Sequence, residues 1–265
     1  MYASLPMYDF VEHRSTTDEL WYRIVAALAG FGIEAPPRLD RDSDLYPAWL
    51  RPDLLLSQTC GLPFVRRLRG RVRLVGALDH GLPGIPAGAY CSVIVVRKTD
   101  QATTLEDLRG RVAAYNSGDS QSGAGALRHM LLPLLINRRF FGETLATHGH
   151  ANSIRAIAEN RADVASIDAA TWELTRRYLP EADAVRVLLQ TPPTPGLPLI
   201  TAQNGPADQI RQAFAQALAE LHPDQRTTLC MQAILPRHDS DFDVVARWDA
   251  EAQAAGYDEL SSGSA

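Results

Sequence analysis

Lysine is almost missing from this chain. Lys98 is the only one, and arginine carries the rest of the positive charge. Schiff-base chemistry therefore has a single candidate residue. Cysteine is scarce too: Cys60, Cys91 and Cys230 make an odd number with no C-x-x-C pair. A disulfide framework and a structural zinc site both lack their ligands, and the three read as small buried apolar residues. No apolar run approaches the ~20 residues that span a bilayer, so a membrane-embedded chain is not expected. No Gly-Lys-Ser/Thr follows any glycine-rich loop, which removes a Walker phosphate loop. A basic face is absent as well. The net charge of −5 argues against nucleic acid as a partner. The opening "MYASLPMYDFVEHRS" has neither a basic n-region nor an apolar h-region. It does not read as a secretory signal, so the expectation is a cytoplasmic protein or a chain whose leader has been removed.

What is present is an alternation of strand and helix patterns. "ASLPMY" reads as a short opening strand. From Thr16 to Ala29 the apolar residues Leu20, Trp21, Ile24, Val25 and Leu28 form a helical stripe, started by Thr16 or Thr17 and stopped by Gly30. Strands are expected at Asp53–Leu56, in "GRVRLVGAL" and in "YCSVIVVRK", where β-branched residues cluster. A second unit follows the same logic. It has a short capped helix over Thr104–Leu108, a strand in "RVAAYN" and a helix over Gly123–Ile136 that Pro133 kinks or restarts. "GETLATHGH" carries a strand and a loop. Next come a helix capped by Asn152 or Ser153, a strand over Ala162–Ile167, a helix ended by Pro180, and a strand in "AVRVLLQ". Pro192, Pro193, Pro195 and Pro198 interrupt before a strand over Leu197–Thr201. Residues 206–235 read as helical and "SSGSA" as a frayed tail. The alternation predicts an α/β fold with mostly parallel strands, in which ligands meet loops at the carboxyl ends of strands.

The stretch "YNSGDSQSGAGALRHML" occupies such a place. Ser120 or Ser122 can cap the helix that follows, and the glycines allow close backbone approach. Hydroxyls and the Gln121 amide can orient oxygen atoms of an anion at the helix start. An ordinary capped helix is the alternative. A nucleophile reading meets two mismatches. Gly118-Asp119-Ser120-Gln121-Ser122 lacks the final glycine of G-x-S-x-G, and His148 or His150 followed by Asp168 reverses the usual Ser…Asp…His order.

The run "LEDLRGRVAAYNSGDSQSGAGALRHML" resembles the phosphonate-binding subunits of ABC importers, which pair an L-x-D-L-x-G lead and a strand with an S-x-S-G loop opening a helix. "HGHANSIRAIAENRADVASID" is similar to the same family's histidine-bearing loop and its A-D-V-x-x-I-D run, with Asn160 where the family has glycine. "PDLLLSQTCGLP" and "YCSVIVVRK" look like its first-lobe loop and crossing strand. The similarity spans roughly residues 45–202.

The resemblance implies a two-lobed periplasmic-binding-protein-like fold. Each lobe would be a mixed, mostly parallel sheet flanked by helices, with two crossing strands as hinge near Tyr90–Arg97 and Val185–Thr201. Residues 1–90 plus 198–265 would form lobe one and 91–197 lobe two. The implied function is capture of a small polar, oxyanion-bearing solute of phosphonate type in an interlobe cleft for uptake through an ABC permease. No cofactor or metal is implied, and the family location is periplasmic. Carried over by position, the ligand-binding candidates are Ser120, Gln121, Ser122 and His150, with Ser57, Gln58 and Tyr90. Tyr8 follows the first strand, and Asp168 stands where the family has an acid facing a ligand amine. Each has a plain structural reading: a cap for His150 or Asp168, core packing for Tyr90 and Tyr8, a polar turn for Ser57 and Gln58. His80, His148, His222 and His238 read as solvated. Asp119 inside the serine loop would oppose a dianion unless its carboxylate turns away. The alternative function is a cytoplasmic lyase, dehydratase or biosynthetic enzyme on the same scaffold, with His150 and Asp168 as an acid/base pair. A sensor module ranks third.

Overall fold

The computed structural model describes residues 1–260; the expected frayed tail, 261–265, lies outside them. The chain divides into two compact units, Met1–Ala89 with Pro195–Asp243, and Tyr90–Thr194 with residues 244–260. It passes from one to the other three times. The sequence reading had placed everything after 198 in lobe one, whereas residues from Val244 onward belong to the second unit.

The first unit is built on a five-stranded sheet of order β1-β2-β11-β3-β12. Its strands are β1 (Tyr2–Ala3), β2 (Leu54–Gln58), β3 (Val72–Asp79), β11 (Pro198–Ala202) and β12 (Ala233–Leu235). All five residues of β2 are buried, as expected for a strand covered on both faces. Helix α1 (Arg14–Ala29) turns Leu20, Trp21, Ile24 and Leu28 inward at helical spacing. It packs on α7 (Ala207–Glu220), which presents Ile210, Ala213, Phe214, Ala217 and Leu218. Short helices α2 (Leu45–Trp49) and α3 (Gly61–Pro63) flank β2, and α8 (Pro223–Leu229) follows α7.

Helix α1 begins at Arg14, two residues before the expected Thr16, because a 3-10 turn over Val11–His13 leads into it. The expected helical stretch 206–235 is interrupted. Cys230 adopts a left-handed conformation, φ 54°, and ends α8. The next apolar residues then pair antiparallel with the edge of β3 as β12.

The second unit has sheet order β7-β6-β8-β5-β9. The strands are β5 (Ser92–Arg97), β6 (Val112–Tyr115), β7 (Glu143–Ala146), β8 (Val164–Asp168) and β9 (Val185–Gln190). The linking segments carry β4 (Ala89–Tyr90) and β10 (Thr194–Pro195), which pair with each other. Helices α5 (His150–Ala158) and α6 (Ala169–Tyr178) pack on β8. A continuous helical run opens with a wide turn over Gln121–Gly125, in which Gly125 N–H reaches back to Ser120 O at 2.9 Å. It proceeds as α4 (Ala126–Leu131) and tightens to 3-10 over Leu132–Leu134, where Pro133 ends the α pattern.

Both sheets are mixed, and antiparallel pairs outnumber parallel ones among the described residues. Pairs β1·β2, β6·β7 and β6·β8 are parallel, while β11·β2, β11·β3, β12·β3, β5·β8 and β5·β9 are antiparallel. The expected excess of parallel strands fails because β5 and β11 follow linking segments rather than helical crossovers, so nothing forces them parallel.

Helix α9 (Asp243–Ala254) was not anticipated. Its Trp248 stacks on His129 of α4 with ring centroids 4.1 Å apart, and its Asp249 meets the buried Arg128 guanidinium at 3.3 Å. Tyr257 and Leu260 then enter the same core as Leu108, Leu127, Leu131 and Phe140. These contacts bind the C-terminal segment to the second unit.

Candidate functional site

Strand β6 delivers the chain to the serine loop. Ser120 is the N-cap of the helical run, and its Oγ accepts from Gly123 N–H at 3.0 Å. Ser120, Gln121 and Ser122 are all buried. Ser120 Oγ and Ser122 Oγ are 3.3 Å apart, and Ser122 Oγ is 3.0 Å from His150 Nε2. His150 is the first residue of α5, which starts there rather than at a cap on Asn152 or Ser153. Those two residues secure the preceding loop instead. Asn152 Nδ2 donates to Thr147 O at 2.9 Å, and Ser153 Oγ lies 2.7 Å from Thr147 Oγ1.

Three residues that the sequence reading did not single out hold the loop in place. Ser92 of β5 and Ser166 of β8 both donate to the Ser122 carbonyl, at 2.9 and 2.5 Å. Asn116 packs against the loop from below: a Cβ at Gly123 would collide with its Oδ1. A Cβ at Gly125 would stand 2.5 Å from Gln121 Oε1. Both glycines are thus required by close side-chain approach rather than by an unusual φ. Lone hydroxyls inside "SVIVV" and "VASID" were the available signal, since a buried serine in an apolar strand needs a partner.

Asp168, at the end of β8, caps α6 by accepting from Thr171 N–H at 2.8 Å. Its charge is felt nearby. The Cys91 thiol is pushed up to about 11 by burial and then by Asp168. Burial holds His150 below the usual imidazole range, outweighing the opposing pull of Asp168 and of the Ser166 backbone. His150 is therefore a neutral ring at neutral pH. The Asp119 carboxylate is engaged by Ser117 Oγ. Tyr90 is buried at the start of the second unit.

In the first unit, Ser57 Oγ is 2.7 Å from Ser4 Oγ, and Gln58 is fully buried at the end of β2. Tyr8 is buried with its ring edge-on to His80, centroids 4.8 Å apart. His80 is not solvated as expected: it is buried, with Nδ1 2.7 Å from Cys230 O. His148, His222 and His238 are exposed. All three cysteines are buried and free. Concave surfaces of about 590 Å³ beside Ile33, Leu54 and Pro206, and of about 260 Å³ beside Thr147, Arg155 and Arg161, include none of the expected site residues. Among the described residues no cluster of His, Cys, Asp and Glu is placed to hold a metal ion, and no helix is long and apolar enough to cross a membrane.

The family model described as ABC transporter, phosphonate, periplasmic substrate-binding protein matches residues 59–246. The chain belongs to this family. The match takes in the serine loop, His150 and Asp168, so the cluster described above lies within the phosphonate-family segment. No curated protein matches the sequence. Solved structures of similar fold include three of the same kind. PhnD1 from Prochlorococcus marinus, in complex with methylphosphonate, has a TM-score of 0.70 at 12% identity, covering 95% of this chain and 98% of that one. A binding protein component of an ABC phosphonate transporter from Pseudomonas aeruginosa has a TM-score of 0.69 at 14% identity, covering 100% and 90%. A Xanthomonas citri protein bound to chloride ion has a TM-score of 0.69 at 16% identity, covering 96% and 98%. Identities this low carry the fold, a periplasmic-binding-protein α/β architecture. As a member of the phosphonate family the chain is a solute-binding protein of the ABC-transporter type.

Proposed function

We propose that this protein captures a small solute bearing a tetrahedral oxyanion of phosphonate type and hands it to an ABC permease. The observation that carries the proposal is the convergence of Ser120 Oγ, Ser122 Oγ and His150 Nε2 within 3.3 Å steps on buried ground. Each hydroxyl can turn its proton toward an oxygen, and a neutral imidazole can donate one as well. Neutral donors hold an anion without the desolvation that a buried guanidinium would suffer. Gln121 and Tyr90 are further proposed contacts in the second unit, and Ser57, Gln58 and Tyr8 in the first. Asp168 would favour a solute that also carries a cationic group, since its charge already acts on His150 and Cys91. Family membership supports export and a permease partner.

Calorimetry and thermal shift with methylphosphonate, phosphate, phosphite and a sulfonate test the proposal. A true ligand at 100 times its dissociation constant adds about 2.7 kcal/mol to stability. Native mass spectrometry should recover the solute chemically unchanged. Absence of binding by every oxyanion, with Ser122→Ala and His150→Ala equally inert, would falsify the reading.

A further inference from the structure

Gln58 is locked in place by its backbone. Its carbonyl accepts from Trp49 Nε1 at 3.2 Å, and the residue stands opposite Leu199 in the β2·β11 ladder. Its side chain is 0% exposed, yet neither Nε2 nor Oε1 has a hydrogen-bond partner within the protein. The preceding residue shows the contrast: Ser57 is satisfied by Ser4.

Buried side-chain amides are normally paired, because an unpaired one forfeits its hydration without recompense. Two donor protons and two acceptor lone pairs await a guest here. A bare oxyanion has only acceptors. It can take the Nε2 protons but leaves Oε1 empty. A guest that satisfies the whole amide must also offer a hydrogen of its own.

We infer that Gln58 reads an N–H or O–H group on the solute, so that the preferred ligand is an amino- or hydroxy-substituted oxyanion rather than a plain alkyl one. This inference rests on the solute-binding function proposed above and specifies its substrate class. The serine and histidine donors of the second unit serve the oxyanion, and Gln58 serves the substituent.

The test is calorimetry on the full chain with methylphosphonate, aminomethylphosphonate and hydroxymethylphosphonate, repeated on Gln58→Met, a side chain of similar length without the amide. A site with a buried amide discriminates strongly against an analogue that leaves it unpaired. The native protein should bind a substituted phosphonate at least about tenfold more tightly than methylphosphonate, and Gln58→Met should reduce that ratio to within about twofold. Thermal unfolding without ligand supplies a second readout. Gln58→Met should melt at or above the native protein, since it removes an unpaired amide. Gln58→Leu repeats the comparison should the methionine variant fail to fold. Equal affinity for all three phosphonates, or a preference that survives the substitution, overturns the inference while leaving oxyanion capture standing. A ligand-free destabilisation by both variants makes Gln58 a structural residue and also overturns it. Failure of the native protein to bind any of the three removes both proposals.

Discussion

Ser122 Oγ stands 3.0 Å from His150 Nε2, although 28 residues separate them and they belong to the starts of two different helices. Each therefore orients the other. Replacing Ser122 by alanine removes one donor and leaves His150 Nε2 without this contact. The expected effect is a loss of phosphonate affinity of up to about tenfold, the scale of one net hydrogen bond. His150→Ala should cost a similar factor. Because the two touch, the double variant should lose less than the product of the single losses when followed by calorimetry.

Acid should weaken the fold through His150. Its folded pKa lies below the usual value because burial disfavours the charged ring. The unfolded chain takes up this proton at about pH 6.5, while the folded protein resists it. Stability from this group is thus fully present above about pH 6.5 and is lost as pH falls through that value toward the lower folded pKa. Thermal unfolding between about pH 8 and pH 5 should show the decline, and His150→Gln should make it shallower. His129, whose pKa is also depressed by burial against the favourable pull of Glu251, adds a separate share that His129→Gln isolates.

Gly123→Ala should be among the most damaging single changes in the serine loop. The new methyl would collide with Asn116 Oδ1, and the wide turn over Gln121–Gly125 leaves it little room to yield. A cost of about 1–3 kcal/mol is expected from overpacking. Adding Asn116→Ala should return part of it, measurable by chemical denaturation. An equal loss with and without the Asn116 change would refute the steric account.

The Arg128–Asp249 pair is buried at both ends. Asp249→Ala strands the guanidinium and should cost about 3–5 kcal/mol. Changing both partners to apolar residues of similar volume should cost less. Denaturant midpoints of the three variants decide between these outcomes.

Asn160 occupies the glycine position of the family pattern at φ 61°, a left-handed backbone that asparagine tolerates better than most residues. Asn160→Gly should hold or slightly raise stability. Asn160→Val should lower it by about 1–2 kcal/mol. Melting temperatures of the two variants give the sign directly.

The helical stripes of α1 and α7 and the β-branched run of β5 were legible because each buries a continuous face with its own period. The serine loop was legible because hydroxyls and glycines concentrated between a strand and a helix are hard to use otherwise. Ser120 proved to be the cap, and His150 the residue met by Ser122. Strand direction was not legible: β5 and β11 read as strands, but their antiparallel pairing depends on how they enter a sheet, which local composition does not record. β12 was hidden inside an apolar helical pattern, cut by the left-handed Cys230. Ser92, Ser166 and Asn116 were missed because their partner is a backbone carbonyl or a glycine that only the fold brings near. His80 read as solvated since nothing in its neighbourhood announces Tyr8 or the Cys230 carbonyl.

The return of the chain to its second body after Val244 has a consequence for biosynthesis. Tyr257 and Leu260 complete a core whose other members lie more than a hundred residues upstream. Neither body is a contiguous stretch, so neither can close while the polypeptide is still being made. An emerging product would expose unfinished sheets until translation is nearly over, which makes this chain a natural client for holding chaperones.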